Sequence, residues 1–419
     1  MDGTQLTEFI RARRDEATRS NAPLKDVRII DVGSVVAAPF AATILGDYGA
    51  EAIKIEPPNA PDAIRYWAVV EERYQPFWLY ASRNKLPITL NLKHPKGQRI
   101  FAQLVERSDI LLENMRPGTL DRLGFPVAKL LEINPGLIIG RISGYGQTGP
   151  YAARPGFGTL AEAMSGFSHM NAHPGGPPTN PPIPLADMTA GMHLALGVIM
   201  ALRHQKRGEC GGQELYLSLY EPLFSLMGAD FLTYALSGVA PTPMGNEAHY
   251  TAPRNSYQTK DGKWVALSAS SQVTFERLMD LVGHPELKQT QGFRDNHERI
   301  RKESREVLNR IIGEWIKKRP LREVLEECEK AGVTIGPVYG MEDIPNDPQV
   351  KARDSISSLV DPASGKYIPL PEAPIRFSAT PGKVRFPGLP MGAANDVILG
   401  DLLGYSLDEI ADLKSSGAI

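Results

Sequence analysis

Residues 27–56 read VRIIDV (27–32), GSVVAAPFAATILGDYG (33–49) and AEAIKIE (50–56). Val27–Val32 is a short apolar run bounded by polar residues, the pattern of a strand buried in a parallel sheet. Pro39–Tyr48 has helical spacing, and Gly49 stands where a helix C-cap glycine belongs. Ala52–Glu56 reads as a second strand. A strand, a helix and a strand in that order make one unit of a doubly wound α/β fold.

The pattern recurs outward from this unit. It predicts a helix around Lys96–Arg107, strands around Ile110–Glu113 and Leu137–Ile142, a strong helix over Met188–His204 and another strand over Glu214–Leu219. Residues 4–16 fit a short amphipathic helix, and the Pro/Gly-rich stretch 172–184 is a loop. From about residue 240 the pattern turns hairpin-like, with Ser256–Thr259 and Lys263–Ala269 flanking an Asp261-Gly262 turn. A charged helical stretch covers 296–330. Val333–Val338 is expected to return to the first sheet. Ser406 with Glu409 three residues on predicts a capped last helix over about 406–415. The expected organisation is an N-terminal extension (1–23), a large domain made from 24–224 and 331–419, and a small α+β domain inserted at 225–330.

Composition narrows the function. The 419 residues suffice for two or three domains. Lys plus Arg is 46 and Asp plus Glu 48, a net charge of -2, which excludes a nucleic-acid binder that works by bulk charge. Two cysteines, Cys210 and Cys328, are too few for a disulfide scaffold or a thiolate metal site, and the eight histidines show no ligand spacing, so no metal is expected. The longest apolar run, Leu194–Leu202, falls short of the roughly 20 residues that span a bilayer. The first 25 residues, with Arg11, Arg13, Arg14, Asp15 and Glu16, contain no apolar signal-peptide region. A cytoplasmic enzyme with neither nucleic-acid nor membrane partners is expected.

Four features bear on chemistry. Gly144–Gly149 (GYGQTG) matches a dinucleotide fingerprint, but Pro150 follows and no helix opens there, so it reads as a glycine-rich loop. Residues 32–39 (VGSVVAAP) join strand to helix. This is either a plain βα turn or a helix mouth whose N–H groups meet an anion or a developing oxyanion. Arg65, Lys93, Arg116 and Arg122 fall at the ends of predicted elements. They are either solvated surface charges or cations for a ligand with several phosphates. Asp187, in PLADMTAG (184–191), lies between the Pro/Gly loop and the strong helix, with no Lys or Arg within ten residues on either side. It is an N-cap, a carboxylate nucleophile that needs no general base, or both. The bland reading of His193 and His204 is that both are ordinary residues of one helix. Trp67, Phe77, Trp78, Tyr80 and Phe167 are either core or the lining of an apolar pocket.

In order along the chain stand DVGSVVAAPFAA, AIKIEPP with Asp62-Ala63-Ile64-Arg65, NKLPITLNLKHPKG, ENMRPGTLDRLG, ISGYGQTGP, LADMTAG, the YxTKDG hairpin and GYSLDEIADL. This set resembles the class III CoA-transferases, the family of formyl-CoA and carnitine CoA-transferases, from about Leu24 to the C-terminus. The resemblance implies that Asp187 is the nucleophile of an acyl-CoA:carboxylate CoA-transferase, working through aspartyl anhydride and β-aspartyl-CoA thioester intermediates. It places Val35, Val36 and Ala37 at the CoA thioester. It places Leu90, Lys93, Asn114, Met115 and Arg122 at adenine and phosphates, with Arg116 in the same loop, and Arg65, a cation at an element end, is expected to bind CoA with them. It implies a Rossmann-like large domain in an interlocked-ring homodimer, or a heteromer with a homologous subunit. CoA is then a co-substrate, with no tightly bound cofactor. Val36 replaces the glutamine of formyl-CoA transferase, and 244–255 holds only Gly245 where that enzyme has a glycine-run lid. The α-methylacyl-CoA racemases share LADMTAG but use a Gly-His-Asp triplet. Here it is Gly156-Phe157-Gly158, which carries no proton. A succinyl-CoA donor is expected, with a benzylsuccinate-type acceptor as one candidate.

Overall fold

The computed structural model describes residues 3–70, 74–208 and 210–419. Its contacts divide the chain into two units, one of Met1–Gly166, Pro181–Met227 and Pro348–Ile419, the other of Phe167–Asn180 and Gly228–Asp347.

The first unit is built on six parallel strands: β1 (Arg28–Asp31), β2 (Glu51–Glu56), β3 (Lys85–Thr89), β4 (Ile110–Glu113), β5 (Ile138–Ser143) and β6 (Gln213–Ser218). Their order is β3-β2-β1-β4-β5-β6, with every neighbouring pair parallel. This is the doubly wound order, and its switch point lies between β1 and β4. Ile29, Ile30, Ile53, Leu111, Leu112 and Ile139 have no exposed surface, as strands covered on both faces require. β3 carries Pro87, which is tolerated because β3 is an edge strand.

The helices that matter here are α1 (Gly3–Arg19), α2 (Ala37–Asp47), α3 (Gly158–Met164) and α4 (Leu185–Lys206). α1 is part of the unit: Ile10 is fully buried in the core cluster that also holds Phe386 and Leu389, and Arg11 and Arg14 pair with Asp401 and Glu51. α4 has 22 residues and is long and apolar enough to cross a membrane by length and composition, more than its longest apolar run indicated. Thr189 and His193 interrupt that run by a single residue each. Ala190, Leu194, Val198, Ala201 and Leu202 of α4 are buried. The chain's C-terminal part closes the same core with Ile398, Ile410 and Leu413 and adds a hairpin, β10 (Ile356–Val360) with β11 (Tyr367–Pro371). The last helix, Leu407–Ser415, has the capping box of Ser406 and Glu409.

The second unit packs β7 (Arg254–Gln258), β8 (Trp264–Ser268) and β9 (Ile335–Pro337) against the helices Gln272–Val282, Lys302–Lys317 and Leu321–Ala331. The Val333–Val338 strand, expected in the first sheet, pairs antiparallel with β8 instead. The hairpin covers one edge of β8 and leaves the other open, and β9, arriving from the charged helices, fills it.

Candidate active site

The switch point puts the ends of β1 and β4 side by side, and Gly33–Val36 crosses the gap between them to α2. Every amide of the first half of this turn is held by a side chain. Gly33 N donates to Asp31 Oδ1 (3.0 Å) and Ser34 N to Asn114 Oδ1 (2.7 Å), while Asn114 Nδ2 donates back to Ser34 O (2.8 Å). Val35 N donates to both oxygens of Asp62 (2.9 and 3.1 Å). Val35 has φ 63°, in the left-handed region where a β-branched residue is an outlier. After it the amides are free. No side chain caps Val36, and among the described residues the N–H groups of Val36, Ala37 and Ala38 have no acceptor. Pro39 has no N–H to offer. The free amides at this helix mouth are thus those of Val36, Ala37 and Ala38, while Asp62 holds that of Val35.

α4 brings Asp187 to the mouth. The helix starts after Pro184, so Asp187 is the third residue of its first turn rather than its N-cap. Gly191, one turn on, allows backbone contact: a Cβ there would stand 2.6 Å from Ala37 O and 3.1 Å from Phe40 Cβ. Met188 packs against the buried cluster of Val36, Phe40, Ile64, Trp78 and Ala81. On its other side Asp187 rests on Gly158, where a Cβ would lie 1.9 Å from Oδ2. The Asp187 carboxylate is half-buried, and among the described residues it has no ion pair and no side-chain hydrogen bond. Burial and then the charge of Glu162 raise its pKa to about 6, against a lowering by its own N–H. Glu162 is buried on α3 and accepts from Ala186 N (3.3 Å), at the start of α4.

Beneath the turn lies an ionic cluster that the sequence reading missed. Lys54 Nζ donates to Gly33 O and lies 3.1 Å from Asp62 Oδ2 and 3.9 Å from Asp31. Lys85 Nζ pairs with Asp31 Oδ2 (2.9 Å), and burial lowers its pKa to about 8. Glu56 accepts from Asp62 N (3.0 Å) and pairs with Arg65 (2.6 Å). All six side chains are buried. Charged residues inside parallel strands were the available signal: Asp31, Lys54, Glu56 and Lys85 interrupt otherwise apolar runs, which is costly unless they are paired.

The predicted site residues divide. Leu90, Lys93 and Met115 line one cleft of about 320 Å³ with Val32, Pro57 and Leu123. Asn114, which precedes Met115 in the chain, holds the turn through Ser34. Arg116 and Arg122 are exposed nearby in sequence, Arg122 donating to Thr119 Oγ1 (2.9 Å). Arg65 is not a free surface cation: it is 7% exposed, chelated by Glu56, and lies 3.4 Å over the Trp78 ring. Trp78 is itself core and donates to Leu389 O (2.8 Å), while Phe167 belongs to the second unit. Gly144 and Gly156 back onto each other, a Cβ on either standing 2.7 Å from the other's Cα, so glycine at both positions permits this close backbone approach. Among the described residues no three His, Cys, Asp or Glu side chains gather to hold a metal.

A free carboxylate, open helix-mouth donors and a separate cleft suit acyl transfer. The family model for CoA-transferase family III matches residues 24–395. The chain belongs to this family. This CoA-transferase is 37% identical, over 96% of its length and all of the relative's, to the succinyl-CoA–L-malate CoA-transferase beta subunit of Chloroflexus aurantiacus. It is also 37% identical, over 96% of its own length and 99% of the relative's, to succinyl-CoA–D-citramalate CoA-transferase of that organism. A crystal structure of a CaiB/BaiF family protein from Brucella suis matches with TM-score 0.80 and 28% identity, covering 91% of this chain and all of the other. The enzyme therefore transfers CoA between an acyl-CoA and a carboxylic acid.

Proposed function

We propose that Asp187 is the nucleophile of this CoA-transferase. The observation that carries the reading is its unpaired carboxylate, set by Gly191 and Met188 against the α2 mouth. One Asp187 oxygen attacks the thioester carbonyl of the donor, and the CoA thiolate leaves, giving an aspartyl–acyl anhydride. The thiolate attacks Cγ of Asp187 and expels the donor acid, leaving a β-aspartyl-CoA thioester. The acceptor carboxylate attacks the same Cγ and displaces thiolate. The thiolate then takes the acceptor's acyl carbon and frees Asp187. The N–H groups of Val36, Ala37 and Ala38 stabilise the tetrahedral oxyanions, and loss of one such donor costs roughly 10²–10³ in rate.

Leu90, Lys93 and Met115 hold the adenine and phosphate end of CoA, with Arg116 and Arg122 adding charge. Succinyl-CoA is the proposed donor, because the malate and citramalate relatives carry it in their names. The proposed acceptor is a hydroxylated dicarboxylic acid of the malate class. Of the aromatics that could line a pocket for an aromatic acceptor, Trp78 is core. The exposed stripe Met192, Leu196, Ile199 and Met200 on α4 supports a subunit interface, with a second copy of this chain as the occupant.

The test is incubation of the purified chain with succinyl-CoA alone, followed by hydroxylamine and peptide mass spectrometry. A hydroxamate at Asp187, absent from Asp187→Ala, is expected. No adduct at saturating donor overturns the mechanism. Light scattering of the same sample reads the dimer.

A further inference from the structure

We infer that Asp62, backed by Lys54, is a positioning residue that fixes the Val35 turn and so aims the free N–H groups of Val36–Ala38. The inference rests on the reading of Asp187 as nucleophile. Its own ground is the geometry of the turn.

A valine at φ 63° is held against its intrinsic preference, whereas glycine would take this conformation at no steric cost. What holds it is visible. Both Asp62 oxygens accept from Val35 N, and Oδ1 also accepts from Ile64 N (3.2 Å). Lys54 Nζ ties Asp62 Oδ2 to Gly33 O, so one ion pair grips the turn by a carbonyl before Val35 and by the amide of Val35 itself. Asp62 is fixed in turn by its N–H to Glu56, which Arg65 chelates. Asp62 and Lys54 are 7% and 1% exposed and do not face the cleft at Leu90 and Lys93. A buried grip of this kind keeps donors oriented before the reaction, with no reorganisation as charge develops.

If the grip acts through Val35, a glycine at 35 makes it dispensable. Asp62→Ala is expected to lower kcat about 10²-fold, the effect of one lost oxyanion donor. KM for succinyl-CoA should stay within about threefold, as the cleft is untouched. Asp62→Asn, which keeps one acceptor oxygen, should lose about tenfold in kcat. In each case adding Val35→Gly should restore at least half of the loss on a logarithmic scale, which a merely structural role of Asp62 would not do. Unchanged kcat in the single variants, or no recovery in the double variants, overturns the inference. Should Asp62→Ala not accumulate folded, the Asp62→Asn pair carries the same test alone. The Asp187 hydroxamate in the wild type separates the two readings. Its absence sinks the nucleophile, whereas its presence with unaltered clamp variants sinks only the clamp.

Discussion

Oδ2 of Asp187 occupies the space that a Cβ at position 158 would need: built on Gly158, that atom falls 1.9 Å away. Real Cβ contacts essentially never fall below 3.0 Å, so Asp187 adopts this rotamer because residue 158 is glycine. A racemase-type aspartate at 158 is incompatible with it. Glycine leaves no acid–base side chain at 158 and makes room for the Asp187 carboxylate.

Gly158→Ala is therefore expected to displace the carboxylate and lower kcat about 100-fold, the usual cost of misplacing a reacting group by about 1 Å. Gly158 has no left-handed φ and opens a helix, so alanine suits its backbone. CoA affinity by calorimetry should be unchanged. Full turnover would show that Asp187 does not need this position.

The βαβ unit at 27–56 was legible because both strands carry short runs of Ile, Val and Ala and Gly49 follows the helix between them. β3 was not, since Pro87 breaks the pattern and only its place on the sheet edge makes it a strand. Asp187 stood out through the absence of nearby cations. Asp62, Glu162 and Lys54 did not, because their partners lie in separate segments of the chain. Arg65 looked like a ligand contact because a charge at an element end reads as exposed. Glu56, nine residues earlier, turns it inward.

A carboxylate with its pKa raised to about 6 attacks only when ionised. The rate of adduct formation from succinyl-CoA should rise with pH, reach half its plateau near pH 6 and fall about tenfold per unit below that. Rapid-quench mass spectrometry from pH 4.5 to 8 reads this directly. A flat profile down to pH 4.5 would mean an Asp187 that ionises like a solvated carboxylate.

The same shift makes the ionised group a burden on folding. Its folded pKa, about 6, lies above the ordinary 3.8, so the charge destabilises the protein at every pH above 6 and is neutral in both states well below 3.8. Asp187→Asn should abolish transfer and raise the unfolding free energy at pH 7 by about 1–3 kcal/mol. The gain should shrink as pH falls from 6 toward 4. Chemical denaturation of both proteins at pH 7 and pH 4.5 checks it. A variant less stable than wild type at pH 7 would contradict the burial argument.

Arg65 and Lys93 should separate structure from binding. Arg65→Met leaves Glu56 buried without its partner, so a loss of about 3–5 kcal/mol in stability is expected. KM for acyl-CoA in the folded fraction should be unchanged. A normal melting temperature with a raised KM would return Arg65 to the ligand.

Lys93 is the converse case. It is exposed, its ammonium has no protein partner among the described residues, and it borders the cleft with Leu90 and Met115. Lys93→Ala should leave the melting temperature in place, because nothing inside the protein depends on that charge. A hydrogen bond to a charged group contributes about 1.5–3 kcal/mol, so KM for succinyl-CoA should rise about tenfold or more while kcat holds. KM for the acceptor acid should not move. The wild type's KM for succinyl-CoA should also climb with ionic strength more steeply than the variant's, since a solvent-facing phosphate contact is screened. Equal salt dependence in the two proteins would show that Lys93 makes no contact with the phosphates.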